Sequence, residues 1–409
     1  MLRAACILKA LIIAGSACAQ APLTLEEARR LALERQPSLQ ALELSEQAML
    51  AQSTAEAELP DPRLKLGALN FPTRGFPSAR DDMTQLAIIY EQMVPGGDKR
   101  RLRAEKTRAE AAQMRAERAV LANAILRDVS LAWLTAWGVA RTEVLVRALQ
   151  TEYRQAIDAA TASVAAGRGS QADVYTARQL LNQSEDRLLE LAMQSERSRA
   201  ELGRWIGQDA PPPVAETLPR MEAPAALAEL LARLESHPQH AMSRATESAA
   251  QAEVTLARES TRSDRSWEVG YMFRDGDRSD MVMFQMAFEL PFWKASRQDR
   301  VVESKLKMRE RAREQSQDHL RMLRADLQAA YSEWQRNGER LANFDARILP
   351  DAQARIDALG AAYRAGRTEL GTVLEARRAL TDSRIQRFMV EVAQAKARAN
   401  IAYFFEHGE

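Results

Sequence analysis

From residue 98 to 164 the sequence holds no proline and a single glycine, Gly138, and the run from 294 to 364 is interrupted only by Gly338, Pro350 and Gly360. Stretches without these two residues read as helix, because proline removes a backbone donor and glycine costs about 1 kcal/mol relative to alanine inside a helix. At 1.5 Å of rise per residue each run would reach roughly 100 Å if unbroken, and no compact globule holds such a helix. Composition agrees, since Ala, Leu, Glu, Arg and Gln fill most of the chain while Gly and Pro number 17 and 15 among 409 residues. The length alone would suggest two or three unrelated domains.

Self-comparison replaces that expectation with a duplication. Ile157-Asp158-Ala159, Ala166-Gly167-Arg168 and Ala177-Arg178 return about 199 residues later as Ile356-Asp357-Ala358, Ala365-Gly366-Arg367 and Ala376-Arg377. Pro37 is echoed by Pro238, Tyr90-Glu91 by Phe288-Glu289, Asp128 by Asp326 and Trp133 by Tyr331. Two similar halves follow, residues 20–206 and 226–409, joined by a connector over 207–225 in which Pro211-Pro212-Pro213 stops any helix. Each half opens with helix-type spacing; over 24–58, Thr24 and Glu27 form a capping box and Pro37 bends the helix. Two strands follow, then a long helix, a glycine turn (167–170 or 366–371) and a return helix of about 35 residues, 170–206 or 369–405.

The strands are expected at about 61–70, 83–94, 266–275 and 281–290, where the period drops to two. Leu64, Leu66 and Ala68 alternate with Arg63, Lys65 and Gly67; Trp267, Val269, Tyr271 and Phe273 alternate with Glu268, Gly270, Met272 and Arg274. Asp275-Gly276-Asp277 turns the second pair. About ten residues per strand match the 9–11 that cross a bilayer at a tilt, and Tyr90, Phe292 and Trp293 sit where an aromatic girdle would lie. Four strands close no barrel, and lipid tolerates no open edge, so several chains must share one: two give eight strands, three twelve, four sixteen. A packed soluble sheet is the other reading of the same alternation.

Near-equal charge, 57 basic against 56 acidic residues and a net +1, offers no field for nucleic acid. No segment past residue 20 is an uninterrupted apolar span of about 18 residues. Residues 1–19 read as an export signal: Arg3 and Lys9, an apolar stretch from Ile7 to Ile13, and small residues up to Ala17-Cys18-Ala19. Cleavage after Ala19 leaves a cysteine-free chain, whereas cleavage before Cys18 frees it for lipidation, with Gly15 a poor fit to that signal. Either way no thiol pair or Cys-rich metal site remains.

Leu23-Thr24-Leu25-Glu26-Glu27-Ala28, Leu59-Pro60-Asp61-Pro62, Val94-Pro95-Gly96-Gly97-Asp98-Lys99-Arg100 and the run from Ala166 to Val174, with the duplication, resemble the TolC-type outer-membrane factors of bacterial tripartite efflux systems over essentially the whole mature chain. Overall similarity points to the heavy-metal branch, serving cobalt–zinc–cadmium or copper–silver pumps of the RND type. The resemblance implies a mainly α chain with a small transmembrane β part, αββαα in each half. It further implies a homotrimer with a twelve-stranded outer-membrane barrel and long helical hairpins forming a periplasmic tunnel. Its partners would be a periplasmic adaptor and an inner-membrane pump, with no cofactor and no enzymatic activity.

By the same resemblance the adaptor docks on the hairpin tips, here Gly167, Arg168, Gly169 and Ser170 in the first half and Gly366, Arg367 and Thr368 in the second. A periplasmic gate maps onto Asp173, Tyr363 and Arg367, with Arg168 as a further charged partner, and Glu375 takes the place of a cation-selective ring. The bland alternative for Glu375 is a surface pair with Arg377 or Arg378.

Other candidates are weaker. Pro238 disturbs the helix that would align His237 and His240 on zinc. Met272, Met281, Met283 and Met286 are soft-ligand types for Cu(I) or Ag(I), but alternation sets Met286 and Met272 opposite Met281 and Met283, which favours strand packing. Asp275, Asp277 and Asp280 lack the later residues of a calcium loop. An exit duct for metal cations is the leading expectation, with a duct for drugs or secreted proteins, or a soluble periplasmic coiled-coil scaffold, as alternatives.

Overall fold

The computed structural model describes residues 21–74, 81, 83–167 and 169–405. The export signal with Cys18, and Arg168 at the first tip, lie outside the described residues. The chain is mainly helical with one four-stranded sheet. Its elements are α1 (Leu25–Arg35), α2 (Pro37–Ala57), β1 (Arg63–Leu69), β2 (Gln85–Val94), α3 (Lys99–Ala165), α4 (Gln171–Ile206), α5 (Leu227–Ala232), α6 (Pro238–Glu259), β3 (Arg265–Arg274), β4 (Met281–Phe288), α7 (Gln298–Asn343), α8 (Leu349–Arg364) and α9 (Leu370–Ala402).

Proline acts more sharply than a bend. The residue before proline is pushed out of the α region, so Gln36 (φ −79°, ψ 112°) and His237 (φ −64°, ψ 138°) are extended, and Pro37 and Pro238 each begin a new helix. Proline at a helix start costs nothing, since its missing N–H would have no intrahelical partner. Thr24 Oγ1 accepts the Glu27 N–H at 3.2 Å and His237 Nδ1 accepts that of Gln239 at 3.0 Å, capping α1 and α6. Pro350 lies inside the second long run, and there the chain widens into a π-turn, Phe344–Ile348, before α8 resumes. Such a turn absorbs the hydrogen bond that proline cannot make. Gly338 and Gly360 interrupt nothing, remaining inside α7 and α8.

Two compact units divide the chain, and each draws on both repeats. The first comprises residues up to Ala32, Val129–Arg220 and Phe344–Val392. In it Leu23 bridges to Val214 through Leu23 N–H to Pro213 O (2.8 Å) and Ala215 N–H to Leu23 O (3.0 Å). Fully buried Trp133 donates to the same Leu23 carbonyl at 2.8 Å, and Trp137 donates to Glu216 O at 3.0 Å. Two indoles thus fasten the proline-rich connector to α3.

The second unit comprises Leu33–Asp128, Met221–Asn343 and the chain from Ala393. Here α6 lies along α7, and Leu230, Leu234, Leu323, Leu327, Ile401 and Phe404 make a core. The sheet is an antiparallel meander in the order β1-β2-β3-β4. One 18-residue window of α3 is apolar enough to span a bilayer, but half of it is buried, as in any core helix.

The foot of the sheet is pinned by a compact polar junction. Asp264 Oδ1 accepts the Gly96 N–H at 2.7 Å and the Lys99 ammonium at 2.6 Å, while Asp98 N–H reaches Glu259 at 2.9 Å. A Cβ on Gly96 would collide with the Ser263 carbonyl, and Gly97 adopts φ 61°, so both glycines are required. Burial opposes ionisation of Asp264, but Lys99 and the Gly96 N–H hold its carboxyl below the usual carboxylate range. The Lys99 side chain is only 6% exposed, so removing its partner strands a nearly buried charge. Asp264→Asn should cost about 3 kcal/mol at neutral pH in urea unfolding followed by circular dichroism. A lowered folded-state pKa means the stabilisation is complete above the unfolded Asp value and lost as pH falls through the folded one, so the wild-type advantage over Asp264→Asn should shrink on acidification below about pH 4.

Candidate functional site

Register sorts the strand side chains into two faces. Leu66, Ile88, Tyr271 and Val282 stand in one cross-strand row, and Leu64, Tyr90, Val269 and Phe284 in the next, all exposed but for the sheet itself. Tyr90 and Trp267 lie 5.4 Å apart between ring centroids on this apolar face, and Tyr271 and Phe273 lie 4.7 Å apart. At the foot, Phe292 and Trp293 are 77% and 73% exposed. The opposite face carries Lys65, Gln85, Glu91, Glu268, Arg274 and Gln285. Lys65 spans three strands there, reaching Glu91 at 3.0 Å and Glu268 at 2.8 Å, and so relieves two carboxylates that stand directly opposite each other. Among the described residues β1 and β4 each have one strand neighbour, leaving two open edges.

The register corrects one sequence expectation. Met272 pairs with Met281, so it shares a face with Met281 and Met283, and Met286 alone stands on the other.

The helical tips lie in the first unit. At the second tip Gly366 (φ 69°) donates to Tyr363 O at 2.9 Å and Arg367 N–H to Ala362 O at 2.9 Å, a Schellman closure. At the first, Gly167 (φ 70°) donates to Val164 O at 2.9 Å. Gly169 approaches the last turn of α3 so closely that a Cβ would stand 2.8 Å from Ser163 Oγ, and Ser170 caps α4 by accepting the Ala172 N–H at 3.1 Å. Asp173 sits in the first turn of α4, where the helix dipole favours a carboxylate. Beneath the tips Leu149, Tyr153, Ala160, Val174, Leu370 and Leu374 form one core, in which burial pushes the Tyr153 phenol up to about 12.

Asp173, Tyr363 and Arg367 are not joined within the chain: among the described residues no hydrogen bond or ion pair links their side chains, and Tyr363 and Arg367 are exposed. Thr368 is half-buried beside them. Glu375 is exposed, and its expected partners are engaged elsewhere, Arg377 with Glu152 at 3.3 Å and Arg378 with Gln183 at 2.8 Å. Sequence reading missed the links that do tie these helices together, Arg187 to Asp382 at 2.8 Å and Arg387 to Asp345 at 2.9 Å. The π-turn presents Asp345 to α9, and Arg387 holds its carboxyl below the usual range. His237, far from gathering with His240 on a metal, is fully buried against Tyr403 and Phe404. Among the described residues no three His, Cys, Asp or Glu side chains gather as a metal site.

No protein-family model and no curated protein matches this sequence. Solved structures do. CusC, studied for folding and transmembrane channel formation, aligns over 94% of this chain and 92% of its own at 15% identity with a TM-score of 0.80. The CmeC outer membrane channel of Campylobacter jejuni aligns over 94% and 86% at 13% identity, TM-score 0.78, and the open-state MtrE outer membrane channel of Neisseria gonorrhoeae over 93% and 88% at 14%, TM-score 0.77. The chain has the fold of these outer-membrane channels. That fold explains the paired features above: a sheet with one apolar face, and glycine-turned helix pairs whose tips carry exposed polar groups.

Both tip glycines at positive φ have nothing within 4 Å of a built Cβ, so only backbone strain restricts them. Gly366→Ala should loosen the tip by about 1 kcal/mol, and Gly366→Asn by less, because asparagine tolerates the left-handed region. Hydrogen exchange at residues 362–370 would read the difference.

Proposed function

We propose that this chain is the outer-membrane exit duct of an RND-type tripartite efflux system, a homotrimer that exports heavy-metal cations and performs no catalysis of its own. The observation that carries the reading is the four-stranded sheet with an exposed face of aromatic and aliphatic side chains, interrupted only at its foot by Gln92 and Arg265, and two open edges. Such a sheet is satisfied only by lipid on one side and further strands at both edges. Three copies make twelve strands, with Lys65, Glu91 and Glu268 turned to the water-filled side. The repeats at 20–206 and 226–409 then contribute helical walls to a periplasmic tunnel, delivered to the surface by the leader at 1–19. The metal cargo is supported by the overall resemblance to the heavy-metal branch.

In this reading the adaptor docks on Gly167, Arg168, Gly169, Ser170, Gly366, Arg367 and Thr368. Asp173, Tyr363 and Arg367, unjoined within one chain, find their partners on neighbouring helices when the tunnel is shut, through charge-assisted bonds. Unpaired Glu375 forms a three-fold acidic ring that draws cations.

Purified protein in planar bilayers should therefore conduct poorly, and Asp173→Ala with Tyr363→Phe should raise single-channel conductance several-fold. An unchanged conductance would argue against the gate. Glu375→Gln should reduce cation preference in reversal-potential measurements without altering folding. Deleting the gene should lower tolerance to one or more of zinc, cadmium, cobalt, copper and silver; lowered tolerance to dyes and detergents alone would favour a drug duct.

A further inference from the structure

Three methionines are neighbours in register on the face of the sheet that carries Lys65 and Glu268, beside the turn that joins β3 to β4. Met272 and Met281 are register partners, and Met283 lies two residues along β4, opposite Gly270. Directly opposed side chains have Cβ atoms about 4.5–5.5 Å apart and diagonal ones about 7–8 Å, distances that methionine's three rotatable bonds close with ease. Gly270 makes the room: the Met283 methyl lies 3.4 Å from the place a Cβ there would occupy. Met272 is buried and Met281 is open to solvent, so one donor is embedded and another is reachable from outside. Ala87 and Ile89 floor the cluster.

The aromatic side chains of the sheet stand on the apolar face together with Met286, whereas the face in question mixes lysine, arginine, carboxylate and amide groups with Leu69, Ala87, Ile89 and Met93. Asp275, Asp277 and Asp280 at the adjoining turn outweigh Arg274 and Arg278 in charge, so a cation is not repelled. Asp280 is itself engaged by the Tyr271 hydroxyl at 2.7 Å and the Arg274 N–H at 2.9 Å.

We infer that Met272, Met281 and Met283 form a thioether site for a soft monovalent cation, Cu(I) or Ag(I), on the wall of the conduit. Neutral soft sulfur selects such ions over zinc and other borderline or hard divalent cations. Needing no deprotonation, the site loads and releases independently of pH, which suits passage rather than storage. The inference rests on the duct reading only in treating this face as the one that cargo passes, and it narrows the cargo to soft monovalent ions.

The test is titration of the purified full-length protein in chloride-free detergent buffer with silver nitrate, followed by calorimetry, with zinc sulfate as a second titrant. Wild type should bind one silver ion per chain saturably and give no matching zinc signal. Met272→Leu with Met281→Leu should weaken silver binding about tenfold or more, while Met286→Leu on the opposite face leaves it unchanged. Bilayer conductance of the same proteins, each with the gate opened by Asp173→Ala and Tyr363→Phe, reports whether the sheet is intact. If the double variant loses its channels, Met281→Leu alone, at an exposed position, must still weaken silver binding. Wild type that conducts but binds no silver, or silver binding that survives in the triple Met272/Met281/Met283→Leu protein, overturns the site while leaving the duct standing. Absence of conductance even in the gate-opened protein, with silver binding retained, would count against the duct alone.

Discussion

Backbone hydrogen bonding at the sheet edges is the constraint on which the rest depends. The peptide groups of β1 and β4 that face away from the sheet have no strand to pair with among the described residues. In water such edges invite uncontrolled association, and in lipid each unpaired group costs several kcal/mol. The apolar face compounds the demand, because its aromatic and branched side chains are exposed and no described residue covers them. Both requirements would be met together by the proposed barrel, closed by several copies of the chain in a bilayer.

The same few local devices recur in each half. Pro37 and Pro238 start helices, and Gly167 and Gly366 end them with φ near 70°. The polar junction of Lys99, Asp264 and Gly96 secures the foot of the sheet to the start of α3. The halves also differ, because Pro350 forces a π-turn where α3 runs unbroken. That turn carries Asp345 to Arg387 at 2.9 Å, a shorter polar tie than the 3.9 Å pair of Arg154 with Glu185 between the helices of the first half.

Elements with a strong period were legible in the sequence. Alternation around Leu64, Tyr90, Tyr271 and Phe284 marked the strands, and the proline-free run of the first half marked its long helix to within a residue, whereas the second run starts four residues later than expected, at Gln298, and is broken at the π-turn before Pro350. Pro37 was underestimated as a bend, since its exclusion of the preceding residue from the α region ends a helix outright. Met272 was misplaced because parity within a strand does not say how strands face one another. Matching the apolar sets Trp267-Val269-Tyr271 and Val282-Phe284-Met286 would have put Met272 beside Met281. The ties between helices were illegible for a different reason: Arg187–Asp382 and Arg387–Asp345 depend on how helices distant in sequence align, and charged residues at helical spacing occur on every exposed face.

Oligomeric state in the membrane tests the central claim most directly. Native mass spectrometry of the detergent-extracted outer-membrane fraction should give three chains per particle, each just below the 45.7 kDa of the full sequence once the leader is removed. A monomer of that mass in the soluble periplasmic fraction, with none in the membrane, would contradict the account.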